Sequence, residues 1–518
     1  MKAFISAARQ KILPVLQQQA VWLCLISGAL TTLSLAPFDY WPVAVVTVAL
    51  FAAVLQNQPA QKIFFLSWVF GIGFFGSGIS WVYVSIHDYG LAPIPLAAFL
   101  TTLFAVFLGF AFALPFYLYG KYFTKSAFGL TLAFPAIWVL GEWTRSWVLT
   151  GFPWLYLGYA HITTPLAGWF PVIGVYGVSF CVVLTAASFA HYLLVQKITP
   201  LLFSLTLFAS GAVLHQHLWT QVRYDSPISV GIVQPNFSLE DKWNPEKNLM
   251  IRQTLEIMSQ PLWQQDIILW PEAAISELYQ NVTPFFDALD AHGKNTHTTL
   301  ITGVPFLEQK NDGEITTHHH RPIYYNSITA MGYGSGLYHK VRLVPFGEYV
   351  PLEKWLRGII RFFDLPMSEF SKGDEHQVLL NAGTYHVAPF ICYEIVYPDL
   401  VAHNAQSADF LVTVSNDSWF GASIGPLQHL EMAQARALET QHFLIRGTNN
   451  GVSAIIDSQG LIQQASEQFT QEILTGTIYP VKGQTPYMKA GSTPLLVFLC
   501  LLLITLQIIS WRTTNKPD

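Results

Sequence analysis

The chain has 518 residues, enough for two or three domains, yet only 11% of them are charged while 52% are hydrophobic and 14% aromatic. Soluble proteins carry about 25% charge, so an ordinary cytosolic enzyme and a disordered chain are excluded, and a net charge of −5 without a basic run excludes a nucleic-acid binder that neutralises phosphates. Charge is also unevenly placed, with 17 of the 27 Lys and Arg between Arg223 and Lys489. This distribution reads as a membrane protein with one water-exposed domain.

A bilayer core about 30 Å thick needs roughly 20 apolar helical residues. Seven stretches of that kind fill the first part of the chain, at 20–36, 41–56, 63–86, 93–119, 127–141, 166–195 and 198–218, and an eighth lies at 494–510. The fifth is the shortest, and Pro135 interrupts it. Between these stretches Lys2, Arg9, Lys11, Lys62, Lys121, Lys125, Lys197, Arg512 and Lys516 fall on one side, against Arg145 alone in the opposite short loops. By the positive-inside rule both termini are then cytoplasmic. The expected organisation is a membrane part with seven spans (1–222), an outward-facing domain (223–490), and an eighth span with a cytoplasmic tail (491–518). A signal peptide ending near Ser34-Leu35-Ala36 is the competing reading of the N-terminus. Cutting there would leave the next hairpin without its inside anchor.

Cys24, Cys181 and Cys500 lie in apolar spans and read as small packing residues. Cys392 is the lone cysteine of the polar domain, which rules out a disulfide framework there and makes it a candidate nucleophile. Two motifs mislead. Gly71, Gly73 and Gly76 fit a dinucleotide-binding string but sit inside an apolar span, where close helix packing through small residues is the reading. His318, His319 and His320 follow an Asn311 to Gly313 turn and read as an exposed loop rather than a metal site, so no metal is expected.

Within the polar domain, short apolar runs suited to strands occur at 228–236, 266–272, 298–306, 324–331, 387–394, 410–417 and 452–457. They alternate with helical patterns at 246–260, 281–292, 397–406 and 426–443. Strands this apolar are buried on both faces, which predicts a layered α/β fold. Glu272 closes one apolar strand, Lys340 ends a run after a Gly-rich turn, and Cys392 follows a strand and precedes a helix beginning near Pro398. A lone carboxylate or lysine at such a place is commonly solvated, and a lone cysteine is commonly structural. Together, a thiol, a carboxylate base and a cation at three strand ends are what acyl transfer through a thioester requires.

Trp270-Pro271-Glu272, then Tyr338-His339-Lys340 followed by 343–353, then Cys392-Tyr393-Glu394 resemble in order and spacing the Glu-Lys-Cys triad of the nitrilase (carbon-nitrogen hydrolase) superfamily. The aromatic segment 141–160 in an outward loop, together with eight spans around one such domain, is similar to the bacterial apolipoprotein N-acyltransferases. The resemblance implies a nitrilase-like α-β-β-α sandwich joined to a multi-pass helical bundle of eight transmembrane helices in the inner membrane of a Gram-negative bacterium, with the catalytic domain in the periplasm. It implies a phospholipid acyl donor, phosphatidylethanolamine, and as acceptor the α-amine of a lipoprotein's diacylglyceryl-cysteine, with no cofactor and no nucleic acid. Carried onto this chain, Cys392 is the nucleophile, Glu272 the general base and Lys340 the oxyanion stabiliser, with the Tyr393 N–H as a second donor. Glu348 and Glu394 become supporting carboxylates, either of which could orient Lys340, and Trp243, Gly151 and Trp154 become substrate-side residues.

Two other classes compete. A membrane-anchored amidase or nitrilase-type hydrolase would share the triad but needs a single span. A transporter or receptor would place ionisable groups in its spans, and these carry almost none at their centres. Lastly, 353–370 places Trp355, Ile359 and Phe363 mostly on one side of a helical pattern, with Gly358 and Pro366 interrupting it, and reads as a lid that dips into the lipid interface.

Overall fold

The computed structural model describes residues 18–126, 128–309, 317–318, 321–349 and 370–514. Helices occupy all eight apolar stretches. Four are long and apolar enough to cross a membrane: Ala60–Gly78, Ile94–Tyr122, Pro165–Val195 and Thr493–Arg512. Ala20–Ser34, Trp41–Val54 and Thr199–His215 are shorter apolar helices. The fifth stretch is shifted along the chain. A single π turn, Gly129–Ala133, leads into the 12-residue helix Phe134–Arg145. Pro135 stands in its first turn, where its missing N–H costs nothing, so it starts this helix rather than interrupting it. Arg145 therefore belongs to a helix end and not to an open loop. It is buried, donates to the Trp154 carbonyl at 2.9 Å, and lies over the rings of Phe75 and Tyr156.

Two glycines of the misleading motif, Gly71 and Gly73, serve helix packing, whereas a Cβ on Gly76 would meet open space. A Cβ on Gly71 would come within 2.6 Å of the Gly109 Cα, and one on Gly73 within 2.1 Å of the Leu25 carbonyl oxygen, so only glycine lets these helices approach so closely. Cys24 and Cys181 are buried as expected, whereas Cys500 faces outward.

Among the described residues, the main sheet of the remaining domain has twelve strands: β1 (Ile228–Gln234), β2 (Ile267–Leu269), β3 (Thr299–Leu307), β4 (Tyr324–Gly332), β5 (Gly334–His339), β6 (Leu380–Ala382), β7 (Tyr385–Ile391), β8 (Phe410–Ser415), β9 (Leu444–Thr448), β10 (Ala454–Ile456), β11 (Ile462–Ala465) and β12 (Glu472–Ile478). They pair in the order β11-β10-β9-β8-β7-β6-β5-β4-β3-β2-β1-β12. Two parallel triplets, β1-β2-β3 and β7-β8-β9, form the two halves, and antiparallel strands join them.

Alternation along the strands makes the layers. Val230, Ile232, Ile267, Leu269, Val412 and Ile445 fall in one cluster between the halves. Val233, Ile268 and Leu300 point the other way, onto the helices Asn248–Ser259 and Thr283–Thr296. A Cβ on Gly447 would meet the Leu269 side chain at 3.0 Å, which shows how closely the halves stack.

Helix Gly425–Thr440 covers the second half and joins it to the bundle. Gln428 Oε1 accepts from Trp154 Nε1 at 2.7 Å, Glu431 Oε2 accepts from the Ala36 N–H at 3.3 Å, and Glu439 Oε1 accepts from the Val175 N–H at 2.8 Å. Val175 has that N–H free because Gly174, at φ +64°, kinks the helix Phe170–Val195 beside it.

Candidate active site

Strand polarity gathers the polar groups at one edge of the sheet. Glu272 lies just beyond β2, Lys340 directly after β5, Cys392 directly after β7 and Asn416 directly after β8. Asn326 is near the start of β4, which runs antiparallel to β3 and so begins at that same edge.

Lys340 is 1% exposed. Its Nζ donates to Glu348 Oε1 at 2.8 Å and stands 3.5 Å from Glu272 Oε1. Asn326 Nδ2 donates to Oε1 of both carboxylates at 2.8 Å, tying them around the ammonium. Glu272 Oε2 accepts from the Asn416 N–H at 2.8 Å, and Glu348 Oε2 from the Val344 N–H at 2.9 Å. Burial pulls the lysine pKa down, but the Glu348 and Glu272 carboxylates outweigh it and hold the ammonium well above the usual range. Lys340 is therefore a fixed cation.

Cys392 adopts φ +50°, a left-handed conformation that a side chain rarely takes, at the turn into the short helical segment Cys392–Val396. Burial drives its thiol well above the ordinary range, the Glu272 carboxylate adds to that, and the Lys340 ammonium opposes it. At rest the thiol keeps its proton, under the opposing influence of a carboxylate and a cation that line the same cavity.

Glu394 does something different from Glu348. Its Oε1 accepts from Tyr338 Oη at 3.0 Å and from the Val341 and Arg342 N–H groups at 2.6 and 3.2 Å, while Oε2 accepts from the Ile391 N–H at 2.8 Å. It thus fastens the loop after Lys340 to the strand end that carries Cys392. Burial lifts its pKa to about 7 against the pull of the Ile391 and Val341 N–H groups. Glu348 is the carboxylate on the ammonium.

These groups open onto a cavity of about 1900 Å³, larger than the roughly 300–1,000 Å³ of an ordinary small-molecule site. Glu272, Lys340 and Cys392 form its polar end, and its walls continue as Phe104, Phe107 and Leu114 of the helix Ile94–Tyr122. The arrangement suits an amphiphile with its reacting group at the sheet edge and its apolar body among the helices.

Profiles of two families divide the chain. That of the apolipoprotein N-acyltransferase N-terminal domain matches residues 27–188, and that of the carbon-nitrogen hydrolases matches 229–485. A protein of Pseudomonas paraeruginosa named apolipoprotein N-acyltransferase is 45% identical over 91% of this chain and 92% of its own length. The chain belongs to the apolipoprotein N-acyltransferase family. A Coxiella burnetii protein of that name is 40% identical over 93% of this chain and 99% of its own length. Among solved structures, a Saccharomyces cerevisiae member of the nitrilase superfamily matches 52% of this chain and 95% of its own, at 17% identity and a TM-score of 0.35.

In this family member the cavity wall includes Gly151 and Trp154. Gly151 has φ +85°, and a Cβ there would lie 2.0 Å from the Ser146 carbonyl oxygen. Its own carbonyl accepts from Tyr393 Oη at 3.2 Å, which ties the bundle loop to the residue after Cys392. Trp243 is off the cavity wall. It follows Lys242, a buried lysine whose Nζ donates to the Glu272 carbonyl at 2.8 Å from behind. Trp355, Ile359 and Phe363, the expected lid, lie outside the described residues.

Sequence reasoning missed Asn326, Asn416 and Lys242. It also missed a buried cluster of Asp417, His429 and Arg446 beneath Cys392. A polar Asn inside the apolar run 324–331 was the available signal.

Proposed function

We propose that this chain moves a fatty acyl group from a phospholipid to the α-amine of an N-terminal diacylglyceryl-cysteine through a thioester on Cys392. Glu272 takes the thiol proton as Sγ attacks the sn-1 ester carbonyl, and Lys340 with the Tyr393 N–H stabilises the oxyanion. Collapse breaks the ester C–O bond, and the lysophospholipid leaves with the proton from Glu272. The acceptor amine then attacks the thioester, Glu272 removes its proton, and Cys392 departs as thiolate to be reprotonated. Phosphatidylethanolamine is the donor in this reading.

The observation that carries the proposal is the convergence of Glu272, Lys340 and Cys392 on a cavity whose walls run on between apolar helices. Lipid tails are as apolar as those walls, so moving an acyl chain from bilayer to cavity costs little. A hydrolase of small soluble amides has no need of such a wall. The deciding measurement is the intact mass of protein purified from membranes. We expect a fraction carrying one added acyl chain on Cys392, rising after incubation with phosphatidylethanolamine vesicles and lost on treatment with hydroxylamine. An unmodified Cys392 under all these conditions overturns the proposal.

The same reading makes 1–222 a seven-span membrane part, 223–490 a periplasmic catalytic domain and 491–518 an eighth span ending in the cytoplasm, the nine-to-one split of Lys and Arg being its support. With Cys500→Ala as background, Asn311→Cys is expected to react with an impermeant maleimide from outside, and Lys516→Cys only after lysis. Labelling of both from the same side would mean that the spans are miscounted.

A further inference from the structure

Beneath Cys392 lie four side chains that the acyl-transfer steps do not use: Ser415, Asp417, His429 and Arg446, all buried. Arg446 Nη2 donates to Asp417 Oδ2 at 2.6 Å and stands 3.2 Å from His429 Nδ1. Asp417 Oδ1 accepts from Ser415 Oγ at 2.6 Å and lies 3.1 Å from the same His429 Nδ1. His429 Nε2 is 3.1 Å from the Cys392 carbonyl oxygen. The ring is walled by Trp154 and Phe420, with centroids 5.9 and 6.1 Å away.

The Cys392 carbonyl can only accept, so the ring presents an N–H to it from Nε2. Nδ1 stands between an acceptor, Asp417 Oδ1, and a donor, Arg446 Nη2. Burial, and next the Arg446 guanidinium, outweigh the pull of Asp417 and hold His429 below the ordinary histidine range, in keeping with a neutral ring. Asp417 and Arg446 close their charges on each other at 2.6 Å.

The consequence follows from peptide geometry. The Cys392–Tyr393 bond is trans, so its C=O and N–H point in opposite directions. Whatever holds the Cys392 carbonyl therefore also aims the Tyr393 N–H. Cys392 needs such a hold, because φ +50° is a conformation that it would leave if unsupported.

We infer that His429 is a positioning residue for acyl transfer: as an Nε2–H donor oriented by Arg446 and Asp417, it clamps the Cys392 carbonyl and thereby points the Tyr393 N–H at the developing oxyanion. This deepens the thioester reading and rests on it.

The test uses full-length protein with Cys500→Ala and the variants His429→Leu and His429→Gln. Acylation of Cys392 is followed by intact mass with two donors, phosphatidylethanolamine vesicles and p-nitrophenyl butyrate. Alkylation by iodoacetamide, which forms no oxyanion, is measured beside it. For His429→Leu we expect kcat for acylation by either donor to fall about 100-fold with KM unchanged, and alkylation to stay within about threefold of the parent. Gln keeps a donor at that reach and is expected to recover most of the loss. Parent-like acylation by His429→Leu, or acylation and alkylation falling together, overturns the inference. So does failure of both variants to fold, since the cluster would then be structural only. A parent protein acylated by the activated ester but never by phospholipid would sink the proposed donor while leaving the role of His429 to be read from the ester.

Discussion

Replacing Cys392 with serine is expected to lower acyl transfer by at least about 10⁴-fold, the scale on which loss of a nucleophile acts in enzymes of this chemical type. The reason is local. Burial and the Glu272 carboxylate already push the Cys392 thiol well above its ordinary range, so the proposed reaction depends on Glu272 taking the proton as the bond to carbon forms. An alcohol ionises far less readily than a thiol, and the same burial and the same carboxylate bear on the alkoxide. The thiolate is also the better nucleophile and the better leaving group in the second half of the cycle. Serine is nearly isosteric and keeps the left-handed backbone at 392, so the protein should fold and bind lipid as before. The measurement is intact mass after incubation with phospholipid, together with the mass of a lipopeptide acceptor. A serine variant within tenfold of the wild-type rate would remove Cys392 from the chemistry.

How far the sequence reaches is clearest in individual elements. Hydropathy located all eight apolar helices, because apolar length is a one-dimensional property. It misplaced the fifth by several residues, since Glu142 and Arg145 are polar by type yet buried in the structure. The strands read correctly were those with long apolar runs, such as Phe410–Ser415, every residue of which is buried. Leu444–Thr448 is buried just as fully, but Arg446 interrupts its apolar pattern, and the Asp417 that compensates it lies 29 residues away. Ile462–Ala465 failed for the opposite reason: it is an edge strand with every residue exposed, so no hydrophobic alternation marks it.

The site divides along the same line. Glu272, Lys340 and Cys392 stand at strand ends, where a polar residue after an apolar run is conspicuous. Asn326, His429 and Arg446 lie inside a strand or helix, where a polar residue reads as a break or a solvated face. His429 sits on Gly425–Thr440, which has the spacing of an amphipathic helix but is buried almost throughout, between sheet and bundle. Local pattern carries no trace of that second partner. The choice between Glu348 and Glu394 was open for a similar reason, since it depends on which carboxylate the fold brings to Nζ.

Substituting Lys340 with methionine tests the polar end of the cavity as a unit. Loss of an oxyanion donor predicts a fall in kcat of roughly 10²–10³-fold. A second effect follows from what remains. Glu272 and Glu348, 6% and 5% exposed, would share the Asn326 amide with no cation between them, and two buried like charges that close cannot both stay ionised. The pair then takes up a proton with an apparent pKa above that of the unfolded chain, a property of the pair and not of either residue. The sign of the stability change follows: the variant is best matched to wild type at acid pH, where the pair holds its proton, and loses stability as pH rises through the raised value. At about pH 8 the deficit should approach the 3–5 kcal/mol typical of an uncompensated buried charge. The same proton blocks Glu272 as a base, so the acid limb of residual kcat should lie at higher pH than in wild type. Urea unfolding and single-turnover acylation, each followed across pH, measure the two effects. A methionine variant with a wild-type rate, or one whose acid limb does not move, would show that Lys340 neither stabilises the oxyanion nor keeps Glu272 ionised.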